Sequence, residues 1–170
     1  MDLNTGTASG GASVGSDTIL GGVSAVRGSN FDDTLTGSAS NNTLEGQSGN
    51  DVLRGGLGAD FLNGGLGSDR FDFDNLAEAG DTVAGFEAVP GGDVLDIADL
   101  LLNSTSYAGG AGGPLADFVR LEGSGPDAQL QIDPDGVVGP ASWQTLATLL
   151  GGSALNLDTL LTNGNLDTLI

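Results

Sequence analysis

From Gly28 to Asp72 one large apolar side chain recurs at every ninth position, at Leu35, Leu44, Leu53, Leu62 and Phe71. A step of nine fits neither one helix face nor simple alternation along a strand. It fits a short strand that buries a single side chain and then turns. Two further columns keep the same step. Glycines stand at Gly28, Gly37, Gly46, Gly55 and Gly64, and Asp33, Asn42, Asp51, Asp60 and Asp69 each precede the apolar residue by two. A disordered Gly-rich linker has no reason to hold three columns in phase, so the segment is a repeat array.

Past Phe71 the period breaks. Phe71 to Asp74 and Asp81 to Phe86 alternate well enough for two strands, as expected of a nonrepetitive cap over the open end of a solenoid. Asp96 to Leu102 predicts a short helix begun by Asp96, and Gly109 to Pro114 a loop. Val119 to Glu122, Gln129 to Ile132 and Trp143 to Leu150 predict antiparallel strands, joined by turns at Ser124-Gly125-Pro126 and at Asp133-Pro134-Asp135-Gly136. Leu157, Leu160 and Leu161 share a helical face that ends near Gly164, and Leu166 to Ile170 reads as a last apolar strand. Upstream, Asp17 to Leu20 and Val23 to Arg27 read as strands leading in. The expected division is 1–27 lead-in, 28–72 repeat array and 73–170 cap, and a start at Met1 amid such material suggests a fragment of a longer protein.

Composition narrows the chemistry. The 170 residues carry 23 acidic and 4 basic side chains, a net charge of −19, and no lysine. Compaction concentrates like charge, which a cationic ligand relieves, whereas nucleic acid and anionic membranes require clustered Lys and Arg. Cysteine and histidine are absent, which excludes disulfides, thiolate and imidazole zinc sites and every His-based triad. No stretch approaches the roughly 20 apolar residues of a membrane-crossing helix, and no basic-then-apolar leader opens the chain, so a soluble protein without membrane insertion is expected. The 31 glycines far exceed the usual share of about 7% and fall in fixed columns.

The units Gly55 to Asn63 and Gly64 to Asp72 match the pattern GGxGxDxUx in full. This segment resembles the RTX calcium-binding repeat, closely over 46–72 and more loosely over 28–45, where Ser29, Phe31, Ser38 and Ser40 replace glycines. The resemblance implies an all-β protein: a calcium-binding parallel β-roll followed by a mostly antiparallel β cap with one or two short helices. It also implies that two units make one coil, so that turns of alternate units stack. At a ladder spacing of about 4.8 Å, with calcium–oxygen bonds of about 2.3–2.6 Å, one ion fits between two stacked turns. Asp33 and Asp51 then share an ion, Asp51 and Asp69 a second, and Asn42 and Asp60 a third, weaker one because Asn42 brings no charge. Three or more calcium ions are expected. Gly28, Asn30, Gly46, Ser48, Gly49, Gly55, Gly56, Leu57, Gly58, Gly65 and Gly67 are the further ligand candidates, and Asp60 holds another ion with help from Glu78 or Asp81.

Residues 71–170 resemble the C-terminal target region of type I secreted RTX proteins, notably large adhesins, with Gly164-Asn165-Leu166 before an apolar terminus. That implies a calcium-dependent folding and export module without catalytic activity, handled by type I secretion machinery, destined for the medium or the cell surface and monomeric as a fragment. A C-terminal module of a secreted hydrolase or polysaccharide-modifying enzyme is the alternative. Other motifs are weaker. Gly11 to Gly15 matches GxSxG, but Ser13 has no histidine to serve it. Asp133 to Gly136 echoes the start of an EF-hand loop, yet its twelfth position is Gln144 rather than Glu. Trp143 is expected in the core.

Overall fold

The structure is a computed structural model that describes residues 2, 7–8, 17–18, 23–103, 115–134 and 142–168. Gly11 to Gly15, Ile19, Leu20, Gly109 to Pro114, Asp135, Gly136 and the last two residues of the expected terminal strand lie outside the described residues.

In chain order the strands are β1 (Thr7–Ala8), β2 (Asp17–Thr18), β3 (Ala25–Arg27), β4 (Thr34–Thr36), β5 (Thr43–Ser48), β6 (Val52–Arg54), β7 (Phe61–Leu66), β8 (Arg70–Asp72), β9 (Asp81–Ala84) and β10 (Val94–Asp96). Helix α1 (Ala98–Asn103), strands β11 (Val119–Ser124), β12 (Asp127–Ile132) and β13 (Gln144–Leu149), helix α2 (Leu157–Asn163) and β14 (Leu166–Asp167) follow. From β3 to β10 successive strands alternate between two sheets. One has the order β14-β10-β8-β6-β4, the other β11-β12-β13-β9-β7-β5-β3.

Along the roll each sheet stacks its strands in parallel with one core residue per rung. In the first sheet Leu35 pairs with Leu53, Leu53 with Phe71, Phe71 with Leu95 and Leu95 with Leu166. In the second, Val26 pairs with Leu44, Leu44 with Leu62, Leu62 with Val83 and Val83 with Leu149. These ten side chains are at most 6% exposed. The register holds because a slip of one residue would turn every core side chain to the solvent.

The ladders therefore continue past the nonapeptides, and this revises the expectation of a mostly antiparallel cap. β9, β10 and β14 add in parallel because the last coil leaves strand edges that must be paired or covered. Among the described residues of the cap, antiparallel pairing is confined to β11–β12 and β12–β13. A tight turn at Gly125-Pro126, with Gly125 at φ 66°, reverses the chain between the first two. β13 is antiparallel to β12 but parallel to β9, which joins the cap to the roll in one sheet. The connection from β12 to β13 is longer than the expected turn.

Two short helices close the cap. Asp96 Oδ1 accepts the Ala98 N–H ahead of α1. α2 is capped by Asn156, whose Oδ1 accepts from Thr159 N at 2.9 Å, and ends at Gly164 in the left-handed region. Leu160 is fully buried and Leu157 half-buried, whereas Leu161, expected on the same face, is 39% exposed. Trp143 is half-buried beneath the Arg120 guanidinium, 4.3 Å from the ring centroid, rather than in the core. Among the described residues no helix is long and apolar enough to cross a membrane.

Candidate metal centre

The acidic column lies two residues ahead of each core residue, where the strand leaves the turn. Along one side of the roll it runs Asp33, Asp51, Asp69, Asp93; along the other, Asn42, Asp60, Asp81. All except Asp33 are at most 3% exposed. After the first member of each column, each Oδ1 accepts the backbone N–H of the column residue one rung earlier. Asp51 accepts from Asp33 at 2.7 Å, Asp69 from Asp51 at 2.9 Å and Asp93 from Asp69 at 2.9 Å. Asp60 accepts from Asn42 at 2.6 Å and Asp81 from Asp60 at 2.9 Å. One oxygen per carboxylate is thus committed to the backbone.

The second oxygen decides the chemistry. In Asp51, Asp60, Asp69 and Asp81 Oδ2 is buried without a hydrogen-bond partner. A buried carboxylate oxygen left without a donor is costly, and a hard cation is the ligand that compensates it. At Asp33, Asn42 and Asp93 the turn-facing oxygen is already satisfied. Asp33 Oδ2 accepts from Ser29 N at 2.6 Å and Ser29 Oγ at 2.9 Å. Asn42 Oδ1 accepts from Ser38 N at 2.7 Å and Ser38 Oγ at 3.1 Å. Asp93 Oδ2 accepts from Glu87 N at 2.9 Å.

The glycines make room at these oxygens. A Cβ at Gly46 would strike Asp51 Oδ2 and lie 2.5 Å from Gly64 O; one at Gly55 would strike Asp60 Oδ2 and lie 2.8 Å from Asp81 Oδ2. A side chain at Gly28 would meet Gly46 O at 2.6 Å and Asp33 Oδ2 at 2.7 Å. Carbonyls and carboxylates thus face the same small spaces. Among the described residues no three acidic side chains gather as a side-chain metal site would need, so an ion here draws on backbone carbonyls as well. An all-oxygen donor set of this kind suits calcium.

The turns that carry the glycines are not all alike. Gly49, Gly56, Gly58, Gly65 and Gly67 have positive φ, as does Gln47 at 88°, whereas Ser29, Phe31, Ser38 and Ser40 do not. The first two turns thus use a different backbone path, closed by serine.

Burial raises the carboxyls of Asp51, Asp60, Asp69 and Asp81 above their ordinary range: Asp69 to about 6, with Asp93, Asp51 and Glu87 adding to the rise, and Asp81 to about 8, with Asp60 and Glu78 adding. Hydrogen bonds from the column N–H groups oppose the shift. No arginine acts on Asp60 or Asp81, because Arg54 is paired with Asp74 and Glu78.

Of the residues picked out by sequence, the structure brings Asp51, Asp69, Gly46, Asp60, Asp81 and Gly55 to the open oxygens. Asp33 and Gly28 meet at one serine-closed turn, and Asn42 lies at another on the opposite side. Gly56 packs on Ser38 O, Gly65 on Gln47 O and Gly67 on Gly49 O, so these carbonyls line the stacked turns. Ser48 N donates to Ser29 O at 3.4 Å, Gly58 lies against Asn41, and Asn30 and Leu57 are exposed at turn tips. Sequence reasoning missed Gly64, whose carbonyl faces Gly46, and Asp93. Asp93-Val94-Leu95 keeps the acid-x-apolar spacing of the repeats and was the available signal.

Residues 27–62 and 36–71 match the family model described as RTX calcium-binding nonapeptide repeat. No curated protein matches the chain. Among solved structures, the chain is similar to the AlgE6R3 subunit of the Azotobacter vinelandii mannuronan C5-epimerase, at 26% identity and a TM-score of 0.48, over 83% of this chain and 80% of that one.

Proposed function

Residues 27–71 being RTX repeats, which bind calcium, we propose that the chain is a calcium-dependent folding and export module at the C-terminus of a type I secreted protein, a cell-surface adhesin. The observation that carries this reading is the set of four buried carboxylate oxygens without donors, stacked along the two sides of the roll.

The residues do the following. Asp51, Asp60, Asp69 and Asp81 present oxygens at the turns, Gly46 and Gly55 keep the adjoining space clear, and Gly64 O faces the same space as Asp51 Oδ2. Bound calcium supplies the positive charge that lets these carboxylates remain ionised in a dry interior. Without it the turns repel one another in a chain of net charge −19. Metal affinity is then folding free energy: each independent ion at about 100 times its dissociation constant adds about 2.7 kcal/mol, and whole domains are stable by about 5–15 kcal/mol.

Low calcium inside the cell keeps the repeats unfolded for passage through a type I channel, and roughly millimolar calcium outside folds them. The module acts by folding rather than catalysis, and the absence of His and Cys from the sequence accords with that. Far-ultraviolet circular dichroism with calcium against chelator tests this. A strong β signal that requires calcium is expected, and the same spectrum in both conditions would overturn it.

A further inference from the structure

The open oxygens do not form one continuous series. They make two pairs on adjacent rungs, Asp51 with Asp69 on one side of the roll and Asp60 with Asp81 on the other; the first pair lies between Asp33 and Asp93, and the second follows Asn42, all three already closed by N–H or hydroxyl donors. The first pair lies wholly within the nonapeptides. The second crosses their boundary.

We propose that Asp60 and Asp81 form a calcium site that fastens the cap to the roll, so that cap docking is itself calcium-linked. It deepens the calcium-binding function just described and rests on it. Asp81 does not come from a nonapeptide. It follows Asp60 by 21 residues instead of 18; the three additional residues lie in the segment that forms the 3-10 turn Leu76–Glu78, and the register recovers with Leu62 opposite Val83. The pair is built like a ligand shell. Both residues are at most 2% exposed, both Oδ2 atoms lack donors, and both face the same point beside Gly55, which has no side chain to fill it.

Among the described residues no basic side chain acts on the pair. The charges acting on them are negative, Glu78 on both and Asp60 on Asp81, and the oxygens of Glu78 are taken by Arg54, Asn75 and the Asp74 N–H. The donors are oxygens alone, which suits a hard divalent cation.

The link to the cap is covalent on one side and hydrogen-bonded on the other. Asp81 opens β9, where it lies opposite Ala147 of β13, and Gly80 N donates to Leu146 O at 2.9 Å. An ion shared by Asp60 and Asp81 therefore holds a repeat turn against the strand on which β13, β12 and β11 are assembled.

Calorimetric titration of the full chain with calcium chloride tests the site, alongside D81N and D51N. Because Ser29 and Ser38 close Asp33 and Asn42, about two tight equivalents, rather than the three or more expected from the sequence, are expected for the unaltered chain and about one for each variant, since each removes a carboxylate from a different pair. Hydrogen exchange on the unaltered chain gives a readout that does not depend on a variant folding: calcium should slow the amides of Asp60 and of 80–83 by about tenfold or more. D81N titrating like the unaltered chain, or no slowing of those amides while that of Asp51 slows, would overturn the junction site and leave calcium binding by the repeats intact. An unaltered chain that takes up no calcium would overturn both.

Discussion

Gln47 has φ 88°, in the turn position that Gly56 and Gly65 fill in the next two units. A side chain in that region of backbone space strains the turn, and Gln47 is exposed, so its side chain repays little by packing. Q47G should raise stability in calcium by about 1 kcal/mol, measured by urea unfolding, and an unchanged or lowered midpoint would show that the turn stores no strain. The serines make the complementary case. Ser29 and Ser38 supply an N–H and a hydroxyl to the column residue of their own turn, the position where the Gly-Gly units leave an oxygen open. Their departure from the glycine pattern was visible in the sequence. That each serine points back at its own Asp33 or Asn42 was not, because the direction of a hydroxyl depends on the backbone path around it.

At the scale of the strand, each rung of the roll contributes one core side chain, and packing comes from the column above and below. Leu62 is fully buried between Leu44 and Val83 on the adjacent rungs. L62A should cost about 2–5 kcal/mol in saturating calcium, read from urea unfolding, because it truncates the large apolar side chain that its strand buries in the core and leaves a cavity. A loss below 1 kcal/mol, about the net worth of one hydrogen bond, would mean that the column collapses around the gap. Arg70 ties rungs together on the outer face: it bonds Asp96 of β10 and reaches Asp167 of β14 at 2.9 Å. The nine-residue step made the repeat strands legible. Strands β9 and β10 follow steps of 21 and 24 between core residues, and β14 joins from 71 residues away, so only their pairing with the existing ladder reveals them as further rungs.

For the whole molecule the governing quantity is charge held in a dry interior. Burial raises Asp69 and Asp72 to about 6 and Asp81 to about 8, above the usual carboxylate value near 3.9. The metal-free fold therefore binds more protons than the unfolded chain through this interval. That contribution is complete below about pH 4 and is lost as pH rises through 6 and then 8. Calcium needs the ionised carboxylates and so acts in the opposite sense. The β signal of metal-free protein in far-ultraviolet circular dichroism should therefore be larger at pH 5 than at pH 8, where calcium is needed to restore it; a metal-free spectrum indifferent to pH would contradict the buried charge. The sequence by itself determined the period, the core column, the acidic column and the oxygen-donor chemistry, because each depends on residue types at fixed spacing along the chain. Only the tertiary structure decided which oxygens stay open, that Asp81 and Asp93 extend the columns, and that the cap continues both sheets. Those outcomes depend on which backbone donors and strand edges meet across coils, a matter of distance in space that spacing along the chain does not encode.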